Sequence, residues 1–400
     1  MDIKAVIEKV ISDEEIIKLT QDLVRIPSCP QVEAYEKEIA EYIYQLFEKE
    51  GIEVSIKPIL GERPNVIAKI PGSGEGKSLM LTGHMDTVPP YKMDIDPFGG
   101  EIIDGKLYGR GSVDMKGPLA AMIMTLIAFK RAKINLQGDL VFVGVINEEY
   151  RSEGTEDLVK NGPKTDAAIV GEPTNLQIAT GHRGLEWLDI KIKGKAAHGG
   201  TADKGINAIS KAAKFIRKVE EELLPKFKAR EHPLIGPPTL NFGVIKGGTQ
   251  PSSVADECSI QIDRRWTPLE TLDQVFEDLE DIIKELQEED RDFKAEIRRI
   301  ESNMATMDHK PMEISLDHPL VSSLKRVTGR VINKTAAIVS FPGWTDASLI
   351  SNFGGIDTVV LGPGDLANAH SEKEYIEVAQ LFPAYSIYAL TAVDFCGIIN

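Results

Sequence analysis

Apolar positions along the chain follow two rhythms. DEEIIKLTQDLVRI (13–26) and EAYEKEIAEYIYQLFEKEG (33–51) repeat them at helical spacing; the first meets Pro27 and the second stops at Gly51. Continuous apolar runs follow: NVIAKI (65–70), SLMLTG (78–83), DLVFVGVI (139–146) and DAAIVG (166–171). Between them lies MKGPLAAMIMTLIAFKRA (115–132), with Pro118 near its start and basic residues at its end, as helices favour. Strand, helix and strand with unbroken apolar runs predict an α/β fold, a mostly parallel sheet with helices on both faces.

Near residue 183 the rhythm changes. LEWLDIKIKG (185–194) alternates, INAISKAAKFIRKVEEELL (206–224) is amphipathic, and TLNFGVIKGG (239–248) and CSIQIDRRW (258–266) predict strands. LETLDQVFEDLEDIIKELQEE (269–289) carries Leu272, Val275, Phe276, Leu279, Ile282, Ile283 and Leu286 on one stripe, and FKAEIRRI (293–300) closes the set. The order βαββαβ is the ferredoxin-like pattern. It predicts an inserted domain over 183–300, within a discontinuous domain made of 1–182 and 301–400. Alternating elements resume with TAAIVSF (335–341), DASLISNFG (346–354), DTVVLG (357–362) and a final helix from about Val378.

A chain of 400 residues exceeds the size at which one core stops growing, which agrees with two domains. The formal net charge of −16, with no dense Lys/Arg cluster, argues against a nucleic-acid partner. No stretch approaches the apolar length of a membrane span, and the opening MDIKAVIEKV lacks the pattern of a signal peptide. Cys29, Cys258 and Cys396 are odd in number and far apart, as in a reducing compartment. A cytoplasmic location is therefore expected.

The chemistry lies where the apolar runs end. SLMLTG leads to His84 and Asp86, DLVFVGVIN to Glu148 and Glu149, DAAIVG to Glu172, and DTVVLGPGDLANAH to His370; Asp114 precedes the helix at Pro118. In an open α/β sheet, ligands bind beyond the carboxyl ends of the strands. Singly, each residue has a plainer explanation, such as a cap for Asp114 or a solvated pair for Glu148 and Glu149. Together they form a carboxylate-rich set with two imidazoles, which suits zinc, with cobalt or manganese as alternatives. Five ligands exceed what one catalytic zinc takes, so two ions sharing a carboxylate are expected, about 3.5–4 Å apart.

GHMDTVPP, LYGRGSVDMKGPLAAMI, NEEYRSEGTEDL, IVGEPT, GKAAHGG and LGPGDLANAHSEKEYIEV closely resemble segments of the M20 metallopeptidase family. That family includes acetylornithine deacetylases, succinyl-diaminopimelate desuccinylases, aminoacylases and glutamate carboxypeptidases. The resemblance covers nearly the whole chain. It implies that His84, Asp114 and Glu172 hold one metal and that Asp114, Glu149 and His370 hold the other. It further implies that Asp86 orients His84, that Glu148 is the general base on a bridging water, and that His198 stabilises the oxyanion, often across a homodimer formed through the lid domains. Strand alternation puts Arg264 and Arg265 on opposite faces; the resemblance favours Arg265 for the substrate carboxylate. The chain departs from the family at TQPSSVAD, with Ser252 and Ser253 where many relatives carry asparagine, and at GWTDA, with Trp344 where a small residue is usual. Asp346 either shapes the substrate pocket or caps a helix. His182, His232, His309 and His318 are expected to be structural.

The expected function is hydrolysis of a C–N amide bond in an N-acyl amino acid or a short peptide with a free carboxylate, as deacylase or as dipeptidase or carboxypeptidase. A two-metal phosphoesterase lacks support, since no glycine-rich stretch continues as a P-loop. A Ser-His-Asp hydrolase lacks the G-x-S-x-G elbow. A non-catalytic binding protein on the same fold has no need of Glu148.

Overall fold

A computed structural model of the chain describes residues 3–33, 35–304 and 306–399. Ala34, inside the second expected helical segment, lies outside the described residues. The chain divides into two compact units, one of Met1–Gly181, Glu313–Phe341 and Thr345–Asn400, the other of His182–Met312 and Pro342–Trp344.

The first unit opens with helices α1 (Ile3–Val10), α2 (Asp13–Arg25) and α3 (Lys37–Lys49). Ser12 begins α2 with a capping box: its hydroxyl accepts from the Glu15 amide, and the Glu15 carboxylate accepts from the Ser12 amide. Strands β1 (Glu53–Leu60), β2 (Arg63–Ile70) and β3 (Leu79–His84) follow, then helix α4 (Gly117–Ala132), strand β4 (Leu140–Val145), helix α5 (Glu153–Asn161) and strands β5 (Ala167–Val170) and β6 (Ile178–His182). Every residue of β3, β4 and β5 is buried, which explains their unbroken apolar runs. Helix α4 is buried from Gly117 to Phe129, so it is apolar all round. Contrary to the sequence expectation, Ser112–Ala132 is by length and composition apolar enough to cross a membrane, but its most apolar 18-residue window is entirely buried inside the protein.

The second unit carries β7 (Gly184–Lys193), α6 (Ala208–Lys218), β8 (Thr239–Gly247), β9 (Glu257–Trp266), α7 (Leu272–Glu289) and β10 (Lys294–Arg299). Its four-stranded sheet runs β8-β9-β7-β10, antiparallel throughout. This is the ferredoxin-like arrangement that the βαββαβ order predicts. Val275, Leu279, Ile282, Ile283 and Leu286 of α7 are buried in a core of their own with Leu188, Ile190, Ile260 and Ile262. At about 1.5–3 kcal/mol per buried apolar side chain, that stripe holds α7 on the sheet.

The first unit then resumes with β11 (Met312–Glu313), α8 (Pro319–Val331), β12 (Ile338–Phe341), α9 (Ala347–Asn352), β13 (Asp357–Val360) and α10 (Leu381–Cys396). Its nine-stranded sheet runs β1-β2-β4-β3-β5-β13-β6-β11, with β12 paired to β6. The sheet is mixed. The central strands β4, β3, β5 and β13 are parallel, and antiparallel pairing begins at β2 and at β6. The parallel centre places the carboxyl ends of four neighbouring strands along one rim, and the polar residues lie there.

Candidate metal centre

His84 is the last residue of β3, and Glu172 stands two residues beyond β5. Both strand ends pass through glycine, and the Met115 side chain packs against each. A Cβ at Gly83 would stand 2.0 Å from Met115 Cε, and one at Gly171 would stand 2.8 Å from it. Asp114 precedes Met115 in the turn leading to α4, and the peptide joining them is cis.

Asp114 faces both imidazoles. Its Oδ1 is 3.0 Å from His84 Nε2, and its Oδ2 is 3.2 Å from His370 Nε2. Glu172 Oε1 lies 3.7 Å from His84 Nε2, and Glu149 Oε1 lies 3.0 Å from His370 Nε2. Two groups thus each bring candidate ligand atoms within 4.8 Å of one another: His84, Asp114 and Glu172, and Asp114, Glu149 and His370. The two differ in access, since the His84 side chain is 1% exposed and that of His370 is 49% exposed.

Hydrogen bonding shows what this arrangement needs. His84 Nδ1 lies 2.9 Å from the Asp86 carbonyl oxygen, an acceptor, so Nδ1 carries a proton and donates it. The neutral ring then turns the Nε2 lone pair toward the oxygens of Asp114 and Glu172. Acceptor facing acceptor is satisfied only by a proton or a metal cation between them. Glu172 Oε1 is buried without a hydrogen-bond partner among the described residues. Burial pushes the Glu148, Glu149 and Glu172 carboxyls above their ordinary range. Asp114 and Glu149 raise His370 to about 10; His84 is raised despite its burial by Asp114, Glu172 and Asp86. Without a cation the cluster therefore retains protons, and divalent metal would displace them. The donor set fits that role.

One detail differs from the sequence expectation. The sequence places Glu148 and Glu149 in extended chain, pointing to opposite sides. They lie instead in a tight turn after Asn147, whose φ of +64° is one that Asn tolerates well. The resemblance implies that Asp86 orients His84. In the structure the Asp86 main-chain carbonyl holds the ring, and the nearer carboxylate oxygen is 3.6 Å from Nδ1. The carboxylate accepts from the Glu148 and Glu149 amides, both at 3.1 Å, and so carries the turn.

Asp346 makes no side-chain cap to α9. It is buried, accepts from Thr155 Oγ1 at 2.5 Å, and is raised to about 6 by burial. Arg110 and Glu374, which the sequence reading passes over, form a buried ion pair next to Asp114.

In the second unit, His198 is exposed and begins a short turn, its Nδ1 accepting from the Gly200 amide at 3.0 Å. That bond leaves the proton on Nε2, which faces outward as a donor. Arg264 is fully buried, paired with Glu270, its guanidinium 4.2 Å from the Phe227 ring centre. Arg265 is partly exposed on the opposite face and paired, among the described residues, with Asp263, at 2.7 and 3.0 Å. Trp344 stands edge-on to His309 and His182, with ring centres 4.6 and 6.4 Å away.

Residues 80–394 match the family model described as Peptidase family M20/M25/M40. The chain belongs to that family. It is 30% identical to the N-formyl-4-amino-5-aminomethyl-2-methylpyrimidine deformylase of Bacillus subtilis, the match covering 96% of this chain and 95% of the relative. It is 28% identical to a Staphylococcus epidermidis protein named "Probable succinyl-diaminopimelate desuccinylase", over 95% and 97% of the two chains. Among solved structures, the fold is shared with aminopeptidase PepT of Bacillus cereus, at TM-score 0.79 and 22% identity over 96% and 99% of the two chains. It is shared also with an M20 family metallo-carboxypeptidase of Sulfolobus solfataricus, at TM-score 0.76 and 20% identity over 95% and 99%. As an M20 family member the chain is a metal-dependent amidohydrolase.

Proposed function

We propose that this M20 family chain is a dizinc hydrolase of a C–N amide bond in an N-acyl amino acid or short peptide bearing a free carboxylate. The observation that carries the reading is Asp114, with one oxygen toward each imidazole of two adjoining ligand sets. His84, Asp114 and Glu172 would hold one ion and Asp114, Glu149 and His370 the other. Bound there, two divalent ions supply Lewis acidity, polarising the scissile carbonyl and acidifying water.

The chain's own groups do the rest. Glu148 takes a proton from the attacking water as its oxygen bonds to the carbonyl carbon. It returns that proton to the amide nitrogen as the C–N bond breaks, leaving a carboxylic acid and a free amine, which exchange the remaining proton to become carboxylate and ammonium. The Asp86 carboxylate keeps Glu148 and Glu149 in register by holding both amides of their turn. His198 offers Nε2–H to the oxyanion that develops on the former carbonyl oxygen. Arg265 receives the substrate carboxylate, since Arg264 is committed to Glu270. Strand β8, at the sheet edge with Val244 and Ile245 exposed, suits pairing with a second copy in a homodimer. Reducing conditions in the cytoplasm fit three free, buried cysteines.

The reading is tested with zinc-loaded protein on a panel of N-acetyl and N-succinyl amino acids, N-formyl amines and dipeptides, following release of the amine. Turnover of at least one class that is lost on chelation and restored by zinc is expected. No amide hydrolysed with metal bound would contradict it and favour a binding protein.

A further inference from the structure

Glu374 lies in SEKEYIEV, where the sequence alone assigns it no role. The structure buries it completely, four residues beyond His370. Its carboxylate accepts three hydrogen bonds. Oε2 accepts from Arg110 Nη1, while Oε1 accepts from the amides of Val113 at 3.2 Å and Asp114 at 3.3 Å. The Glu374 carbonyl accepts from the Gly109 amide at 3.0 Å. Arg110, also buried, reaches back to the Ser371 carbonyl through Nη2 at 3.4 Å.

These bonds join the two segments whose spacing matters to the metal centre. One delivers Asp114, which belongs to both ligand sets; the other delivers His370, which belongs to one. His370 is half-exposed on a loop with a positive φ of 58°, so its own packing fixes it weakly. A buried ion pair that contributed only cohesion could stand anywhere in the core. This one ends on the amide of Asp114 itself.

We propose that Glu374 and Arg110 are a positioning pair that fixes His370 against Asp114 and thereby sets the affinity of the Asp114–Glu149–His370 metal position. Neither residue touches substrate. The inference rests on the two-metal reading above, and its test separates the two.

The apo protein is titrated with Co²⁺, following heat by calorimetry and the visible d–d bands of each equivalent. Wild-type protein should take up two equivalents; fewer would overturn the two-metal reading and this inference with it. Glu374→Gln keeps the shape but removes the charge facing Arg110. It should weaken one equivalent by about 10- to 100-fold, as outer partners of metal ligands do. The other equivalent should stay within the error of wild type, and turnover should recover at high Co²⁺. Two wild-type affinities in E374Q, or an equal loss at both positions, would overturn the positioning role while leaving the two-metal reading intact. If E374Q does not fold, Arg110→Lys decides by the same criterion: it retains the charge but loses the reach to Ser371.

Discussion

Asp86→Asn separates two ways in which one residue can serve a metal site. The Asp86 carbonyl holds His84, and no substitution removes it; the carboxylate holds the Glu148–Glu149 turn through two bonds of 3.1 Å. In the variant one carboxylate oxygen becomes an NH2 group facing an amide donor, so one of those bonds is lost. A hydrogen bond to a charged, buried acceptor is worth about 1.5–3 kcal/mol. A loss of about 2 kcal/mol corresponds to roughly 30-fold in an equilibrium constant. It should fall on the position that uses Glu149, because Glu149 sits in the turn that shifts. The position that uses His84 and Glu172 should change little. Calorimetric titration of the apo variant with zinc measures both affinities, and a second variant, Glu149→Gln, identifies which phase belongs to which position. If D86N weakened the His84 position and spared the Glu149 position, the carboxylate would be the true support of His84 and this account of Asp86 would fail.

Other consequences follow from the same geometry. Glu148→Gln should lower kcat by about 100- to 10,000-fold with both metals still bound, as measured by turnover beside metal analysis; near-normal turnover would remove Glu148 as the base. Arg265→Met should raise KM by roughly tenfold or more for substrates with a free carboxylate and leave amidated analogues unchanged. Arg264→Met should instead lower stability by about 1.5–3 kcal/mol, because the buried Glu270 loses its nearer cation and keeps only the longer contact to Arg230 at 3.3 Å among the described arginines, and a KM effect without a stability effect would reverse the two assignments. His182 and His309 are lowered to about 4, by burial first and then by Arg265 for the former and by Arg299 and Arg265 for the latter. Unfolded histidine titrates near about 6.5, so between pH 6.5 and 4 the unfolded chain binds more protons and acid removes stability. The loss is about 2 kcal/mol per histidine by pH 5. Denaturant melts at pH 7 and pH 5 should show a smaller drop for His309→Gln than for wild type, and an equal drop would contradict a neutral buried His309.

Much of this was legible in the chain because its cause is local. Period-two alternation separates Arg264 from Arg265, and β9 buries one and leaves the other partly exposed. The runs SLMLTG and DAAIVG announce buried parallel strands, and the polar residues after them therefore land on one rim. Other features depend on tertiary neighbours and leave no local trace. Asn147 takes a left-handed conformation that turns Glu148 and Glu149 out of the extended chain, and nothing in VINEEY prescribes it. Asp86 supports the ring with its carbonyl and the turn with its carboxylate, a division that needs β3 and β4 side by side. Arg110 and Glu374 are 264 positions apart, and nothing local links them until the fold brings them together. Trp344 departs from the small residue usual in the family and stands edge-on to two neutral histidines, which only the folded second unit places beside it.

The central claim is that Asp114 belongs to two metal positions at once. Metal analysis of protein purified without chelator and reloaded with zinc tests it most directly, in wild type and in His370→Ala. Two zinc ions per chain in wild type and one in H370A are the predicted result. One ion or none in wild type, or two retained in H370A, would contradict it.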